Sequence, residues 1–318
     1  MPIAQVAAEL KTCVERTDMP MWSLVRSPMA ATGAKPRVAA SACVLAAAAI
    51  ALPGVPAILP TAAAAPLAHS QTCLPGFDCD MSNRIAGVNA YLKNRPGVTG
   101  YVLRDRVSGG VYANEHAEDS VWTASTIKLA IAADLLNRAR VGAIGLSPED
   151  RGLMESMLAT SNDQATDVLW NKYAGLDRMA YNNAFRANGM TGLVPQPTST
   201  ALFPDWSFQK CTAADLDRLM SHVLDRMHPD DRNYLIDRMR KVDMNQHWGV
   251  WGAGAAMRPG LKNGWSAEQG GWVVNSVGFA GPGERYTLSI MTSMGDQGGY
   301  TDGADTDTKI AEMLLAGR

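Results

Sequence analysis

Val121-Trp122-Thr123-Ala124-Ser125-Thr126-Ile127-Lys128-Leu129-Ala130 carries a hydroxyl and an amine three residues apart, Ser125 and Lys128. At that spacing the two side chains share one helical face. A neutral amine there can take the serine's proton and leave a nucleophile. The apolar residues that follow (Leu129, Ala130, Ile131, Ala132, Ala133, Leu135, Leu136) predict a helix buried on nearly every side. Burial lowers a lysine's pKa toward the range a base needs. The pair alone decides little, because about one S-x-x-K arises by chance in a chain of this length and ordinary composition. A second copy, Ser207-Phe208-Gln209-Lys210, stands in a loop with no apolar helix after it.

The chain has 318 residues, a formal net charge of −2 and no basic block, so it lacks the electrostatic footprint of a nucleic-acid binder. Lys35 and Arg37 precede a run from Val38 to Leu52 that is apolar except for Ser41. That run is shorter than the ~20 residues a membrane-spanning helix needs. Pro53 to Pro60 and then Ala62 to Ala65 follow, a small-residue stretch suited to a signal peptidase. Residues 1–68 therefore read as a signal region cleaved near Ala65 or Ala68, with an uncleaved anchor as the alternative. Met29 begins a more ordinary signal than Met1 does. Cys43 follows Ala40-Ser41-Ala42 but sits near the beginning of the apolar run, which discounts it as a lipidation site. The expected product is secreted or held in the cell envelope, monomeric, with no stable membrane span.

Residues 69–81 form a lead segment in which Cys73 and Cys79 flank a Pro-Gly turn, a local disulfide if the compartment is oxidising. Cys211 is left over as a buried apolar group. Residues 82–318 suffice for one large domain. A helix opens at Ser82, and strands are expected over 100–105 and on either side of Ser108-Gly109-Gly110. Ser147 caps a helix with Pro148 at its first position. Helices then run to about residue 240, among them one over 176–187, with the pattern dissolving between Gly189 and Cys211. Three strands are expected over 257–262, 271–280 and 286–292, and a last helix over 304–315. Strands at both ends and helices between them predict an α+β fold. Its antiparallel five-stranded sheet would be flanked by helices, with an all-helical subdomain inserted.

Two further stretches fall in order after Ser125: Ser161-Asn162-Asp163 at a helix junction, and Lys262-Asn263-Gly264-Trp265 at the head of the last strands. The succession resembles the S-x-x-K, S-D-N and K-T-G signature of class A β-lactamases and penicillin-binding proteins. The similarity covers nearly all of residues 82–318. Ser161 to Thr166, Asn245-Gln246-His247-Trp248-Gly249, Lys262 to Trp265 and Gly271 to Ser276 look closer still to the exported serine hydrolases of actinobacteria. The resemblance implies Ser125 as acylated nucleophile, Lys128 as its proton acceptor, and Ser161 as proton donor to the leaving nitrogen. It implies Asp163, Lys262, Asn263, Gly264 and Trp265 as substrate-binding residues, with an oxyanion hole at the N–H groups of Ser125 and Trp265. It implies a small-molecule or peptidoglycan-derived substrate, and no cofactor or metal.

Three departures qualify this. Asp163 puts a carboxylate, which only accepts hydrogen bonds, where the signature has an amide. Asn263 replaces a hydroxyl residue. The Gly189–Cys211 loop has one acidic residue, Asp205, outside the Glu-x-x-Leu-Asn context of the deacylating glutamate, and it reads as a turn cap. Slow deacylation follows, as does a rival reading: a wall-associated binding protein that kept the fold and lost turnover. The five histidines show no metal-ligand spacing. No G-x-S-x-G elbow or phosphate loop is present. The tryptophans 248, 251, 265 and 272 read as core and cleft wall.

Overall fold

The computed structural model describes residues 73–198, 203–267 and 270–318. The signal region and the expected cleavage sites lie outside them. Among the described residues no helix is long and apolar enough to cross a membrane.

Helix α1 (Cys79–Leu92) starts three residues before Ser82, because Asp78 caps it by accepting from the Met81 N–H. Cys73 and Cys79 are joined in a disulfide, with their Cα atoms 4.9 Å apart. Strands β1 (Val98–Asp105) and β2 (Val111–Ala113) form a hairpin. A two-residue strand β3 (Val121–Trp122) leads into a 3-10 turn (Ala124–Thr126) and then helix α2 (Ile127–Arg140). Every residue of α2 from Ile127 to Leu136 is buried, as the apolar run requires.

Helix α3 (Pro148–Ala159) has the expected Ser147 cap, reinforced by Asp150 in a reciprocal capping box that contributes roughly 1 kcal/mol. Helix α4 (Asp163–Tyr173) follows. Helix α5 (Ala180–Ala187) begins four residues later than its periodicity indicates, since Gly175 and Arg178, both at positive φ, hold a turn there. The stretch read as patternless contributes strands β4 (Val194–Pro195) and β5 (Gln209–Cys211). They join β3 in a small sheet of order β3-β5-β4. Helices α6 (Ala213–Asp225) and α7 (Pro229–Arg240) complete the helical insertion.

Strands β6 (Gly260–Ser266), β7 (Trp272–Ala280) and β8 (Tyr286–Gly295) then precede helix α8 (Tyr300–Leu315). The first starts at Gly260 because residues 255–257 make a 3-10 turn ended by Arg258 at φ 47°. The main sheet is antiparallel, with order β2-β1-β8-β7-β6, so the first and last strands of the domain are neighbours. Alternation along the strands sends side chains to opposite faces. Tyr101, Leu103, Leu288 and Ile290 meet Ile85 and Val88 of α1 and Ile310 and Leu314 of α8. Val102, Val277, Phe279 and Met291 meet the helical insertion through Ile131, Leu216 and Leu219. The α+β architecture expected from the sequence is the one observed. Edge strand β6 runs beside the Ser125 turn, and that juxtaposition creates the cleft.

Candidate active site

Ser125 stands half-buried where β3 gives way to α2. The preceding Ala124 has φ 44°, a conformation L-residues seldom adopt, which aims the turn toward β6. Thr126 Oγ1 donates to the Thr123 carbonyl at 2.6 Å, and the Thr123 N–H to the Gln209 carbonyl at 2.9 Å. From β7, the buried Asn275 amide donates to the Trp122 and Thr123 carbonyls at 2.9 and 3.2 Å. The turn is thus fastened to both sheets. Gly264 of β6 lies so close that an added Cβ would meet the Ser125 and Thr126 nitrogens at 2.7 Å and the Thr123 oxygen at 3.0 Å. Ser125 Oγ carries no hydrogen bond among the described residues.

Ser161 occupies the junction between α3 and α4 at φ 61°. Asn162 is the cap of α4, accepting from the Ala165 N–H at 3.0 Å and donating to Ser156 Oγ at 3.0 Å. Asp163 is then the first helical residue, where the helix dipole favours a carboxylate. The Asn-Asp order therefore has a local logic: the amide caps, and the acid faces the cleft. Lys128 Nζ donates to the Ser161 carbonyl at 2.7 Å, to Ser161 Oγ at 3.3 Å and to Asp163 Oδ1. Lys262 Nζ donates to the same Ser161 Oγ at 2.9 Å and to the Asn263 carbonyl at 2.8 Å. One hydroxyl oxygen thus accepts from two amines, which leaves its own proton free to be given away.

Both amines are buried, and burial pushes both below the ordinary lysine value. For Lys128 the Asp163 and Asp167 carboxylates pull back upward. For Lys262, bonded to no carboxylate, the neighbouring Lys128 adds to the depression, which goes much further. The two lysines are therefore unequal: Lys128 is paired with a carboxylate, whereas Lys262 has none bonded to it and is depressed further.

Asn263 is the residue that departs from its expected place. Strand alternation puts Lys262 and Gly264 on one face and Asn263 on the other. Its amide is fully buried, donating to the Gln246 carbonyl at 2.9 Å and accepting from Ser276 Oγ at 2.7 Å. It braces β6 against residues 246–248 and presents nothing to the cleft. Trp265 is half-buried, its ring 5.9 Å from Trp248 and 5.7 Å from Tyr300 in an aromatic wall beyond Gly264.

The second S-x-x-K is dismantled. Ser207 Oγ donates to Asp205 at 2.7 Å, and Lys210 Nζ lies 4.6 Å from the centre of the Trp122 ring. Asp205 also accepts from the Ser207 N–H at 2.8 Å, so it does cap a turn. Its neighbour Trp206 is a site residue that spacing did not reveal. The ring sits 4.7 Å from Lys128 Nζ, and its Nε1 donates to Asp167 at 2.7 Å. An isolated tryptophan in a loop gives no pattern by which to find it.

No family model matches the chain. A mycobacterial protein named "Putative lipoprotein LppW", from Mycobacterium tuberculosis and Mycobacterium bovis, is 29% identical over 196 residues. Those residues are 58% of this chain and 60% of LppW, so less than two thirds of that relative is matched. Among solved structures, an ancestral class A β-lactamase superposes with a TM-score of 0.60 at 18% identity, over 74% of this chain and 98% of its own. A β-lactamase from Xanthomonas campestris gives 0.61 at 17%, over 74% and 97%. The fold is that of the class A β-lactamases. At such identities the likeness carries the fold alone.

Proposed function

We propose that the chain is an exported acyl-serine hydrolase that acylates readily and deacylates slowly. Ser125 Oγ attacks the carbonyl of a β-lactam or cell-wall peptide, and its proton passes to Lys128. Ser161 gives its proton to the leaving nitrogen and is resupplied from the lysines. The N–H groups of Ser125 and Trp265 receive the developing oxyanion, and Lys262 attracts a substrate carboxylate. The observation that carries this reading is Ser161 Oγ bonded to both Lys128 and Lys262 beside the Gly264–Ser125 contact. Asn263 is assigned a positioning part, and Asp163 lines the cleft.

The slow second half rests on how the acids near Lys128 are occupied: Asp163 is bonded to that amine and Asp167 to the Trp206 N–H, which leaves neither free to activate water. The Trp206 ring over Lys128, with that amine bound to Asp163, favours the rival reading of a binding protein without turnover. Export is supported by the Cys73–Cys79 disulfide, which persists in oxidising compartments, and by a relative named as a lipoprotein. That relative's mycobacterial source also favours the actinobacterial group of exported serine hydrolases.

Incubation of the mature domain with a fluorescent penicillin, followed by a denaturing gel, tests the proposal. A band that disappears in Ser125→Ala and persists in Ser207→Ala is expected. No covalent label at any pH would leave the binding-protein reading standing.

A further inference from the structure

A lysine that is to accept a proton needs an open lone pair, and Lys128 has none to offer. An ammonium has three N–H donors. Here they go to the Ser161 carbonyl, Ser161 Oγ and the Asp163 carboxylate, and none is directed at Ser125. The charged groups around this amine are few. Asp163 and Asp167 approach from α4, Lys262 from β6, and the Trp206 ring lies across it from the loop before β5. Of the two acids only Asp163 bonds the amine. Asp167 is occupied by the Trp206 N–H.

We propose that Asp163 is a brake on acylation: its carboxylate ties up the Lys128 ammonium, and only molecules in which that grip is released can activate Ser125. The inference rests on Ser125 and Lys128 acting as proposed above. An amide at position 163 would keep the shape and one acceptor while removing the charge. With a carboxylate there, one proton must leave the Lys128 ammonium before Ser125 can deliver its own. The bookkeeping is simple. The Oγ–H bond breaks, the Oγ–C bond forms as the carbonyl π pair moves onto its oxygen, and the proton moves to an Nζ that has first lost one to solvent. Collapse then breaks the C–N bond, and the leaving nitrogen takes the Ser161 proton. Asp163 opposes that first loss. Its side chain is 69% exposed, so the brake sits at the cleft surface, where a bound ligand's own N–H donor can compete for it.

Asp163→Asn tests this by two readouts. The rate of Ser125 labelling by fluorescent penicillin, followed against pH, should rise ~10-fold or more at neutral pH. The acidic limb of the profile should move down by ~1–3 pH units, the usual effect of removing an opposite charge at this range. Asp167→Asn should move it less. The second readout needs no acylation: the Lys128 ε-methylene resonance in 13C-lysine protein, assigned with Lys128→Arg, reports its titration directly. That midpoint should fall in Asp163→Asn by the same amount. An unmoved Lys128 midpoint, or a variant that labels more slowly than wild type, overturns the brake. A lowered midpoint with no label on either protein keeps the Asp163 grip on Lys128 but defeats the acyl-enzyme reading, and a brake on acylation with it.

Discussion

Replacing Gly264 with alanine is the sharpest probe of the cleft. The added methyl would stand 2.7 Å from two backbone nitrogens, against ordinary contacts that begin at 3.4 Å, so the strand and the turn must part by 0.7 Å (3.4 − 2.7). All three atoms it meets are backbone (Ser125 N, Thr126 N, Thr123 O), so no side chain can swing aside to absorb the strain. Overpacking of this kind costs ~1–3 kcal/mol, which a domain of this size survives. Catalysis suffers more, because misplacing a reacting group by about 1 Å costs up to ~10²-fold. An oxyanion donor lost outright costs ~10²–10³-fold. The labelling rate of Gly264→Ala should therefore fall by ~10²-fold while thermal unfolding stays cooperative. Gly145→Ala, whose methyl meets nothing within 4 Å, is the control. A folded Gly264→Ala protein that labels within about threefold of wild type would refute an oxyanion hole at the β6–turn contact.

Two other expectations follow from described side chains. With Asp163 bonded to Lys128 and Asp167 to the Trp206 N–H, neither acid is free to activate water, and a chromogenic cephalosporin should give a burst and then turnover lowered by ~10²–10⁴-fold relative to general-base deacylation. Steady turnover above ~10 s⁻¹ would mean that another base exists. Asp307 of α8 is fully buried, accepts among the described residues only from Thr292 Oγ1 at 2.9 Å, and is pushed well above the ordinary carboxyl value of 3.8 by burial. A raised folded value means its contribution is fully present below pH 3.8 and is lost as pH rises toward the folded value. Denaturant titrations of wild type should thus lose up to ~1.4 kcal/mol per pH unit above pH 4 relative to Asp307→Asn. Parallel profiles for the two proteins would contradict this.

Much of the fold was legible because its signals are local. Ser147-Pro148 caps a helix wherever it occurs, and the alternation over 286–292 marks a strand, although both of its faces turn out to be buried. The small β3-β5-β4 sheet was not legible. Its strands are two or three residues long, too short for any period, and pair across the chain, with the Thr123 N–H reaching the Gln209 carbonyl beside them. Within the site, motif order located Ser161 and Lys262, since each is fixed by its own element. Asn263, expected to line the cleft, is turned toward residues 246–248, because a motif letter says nothing of which face a strand residue takes. Trp206 and the amide of Asn275 act across distances of 78 and 152 residues (206 − 128, 275 − 123), and no spacing rule reaches so far.

The sheet order also sets when the protein can fold. β1 and β8 pair at Asp105 with Tyr286 and at Val98 with Ser293, partners 181 and 195 residues apart (286 − 105, 293 − 98). Contacts of such separation are late and slow, because the loop they close must be ordered before they repay it. Ser125 lies early in the chain and Lys262 late, on a strand that has no neighbour until β7 emerges. A nascent or threading polypeptide accordingly carries Ser125 without the amine and the edge strand that complete its surroundings. On the reading proposed above, export would bring the reactive serine into being only on the far side, once the last strands have arrived.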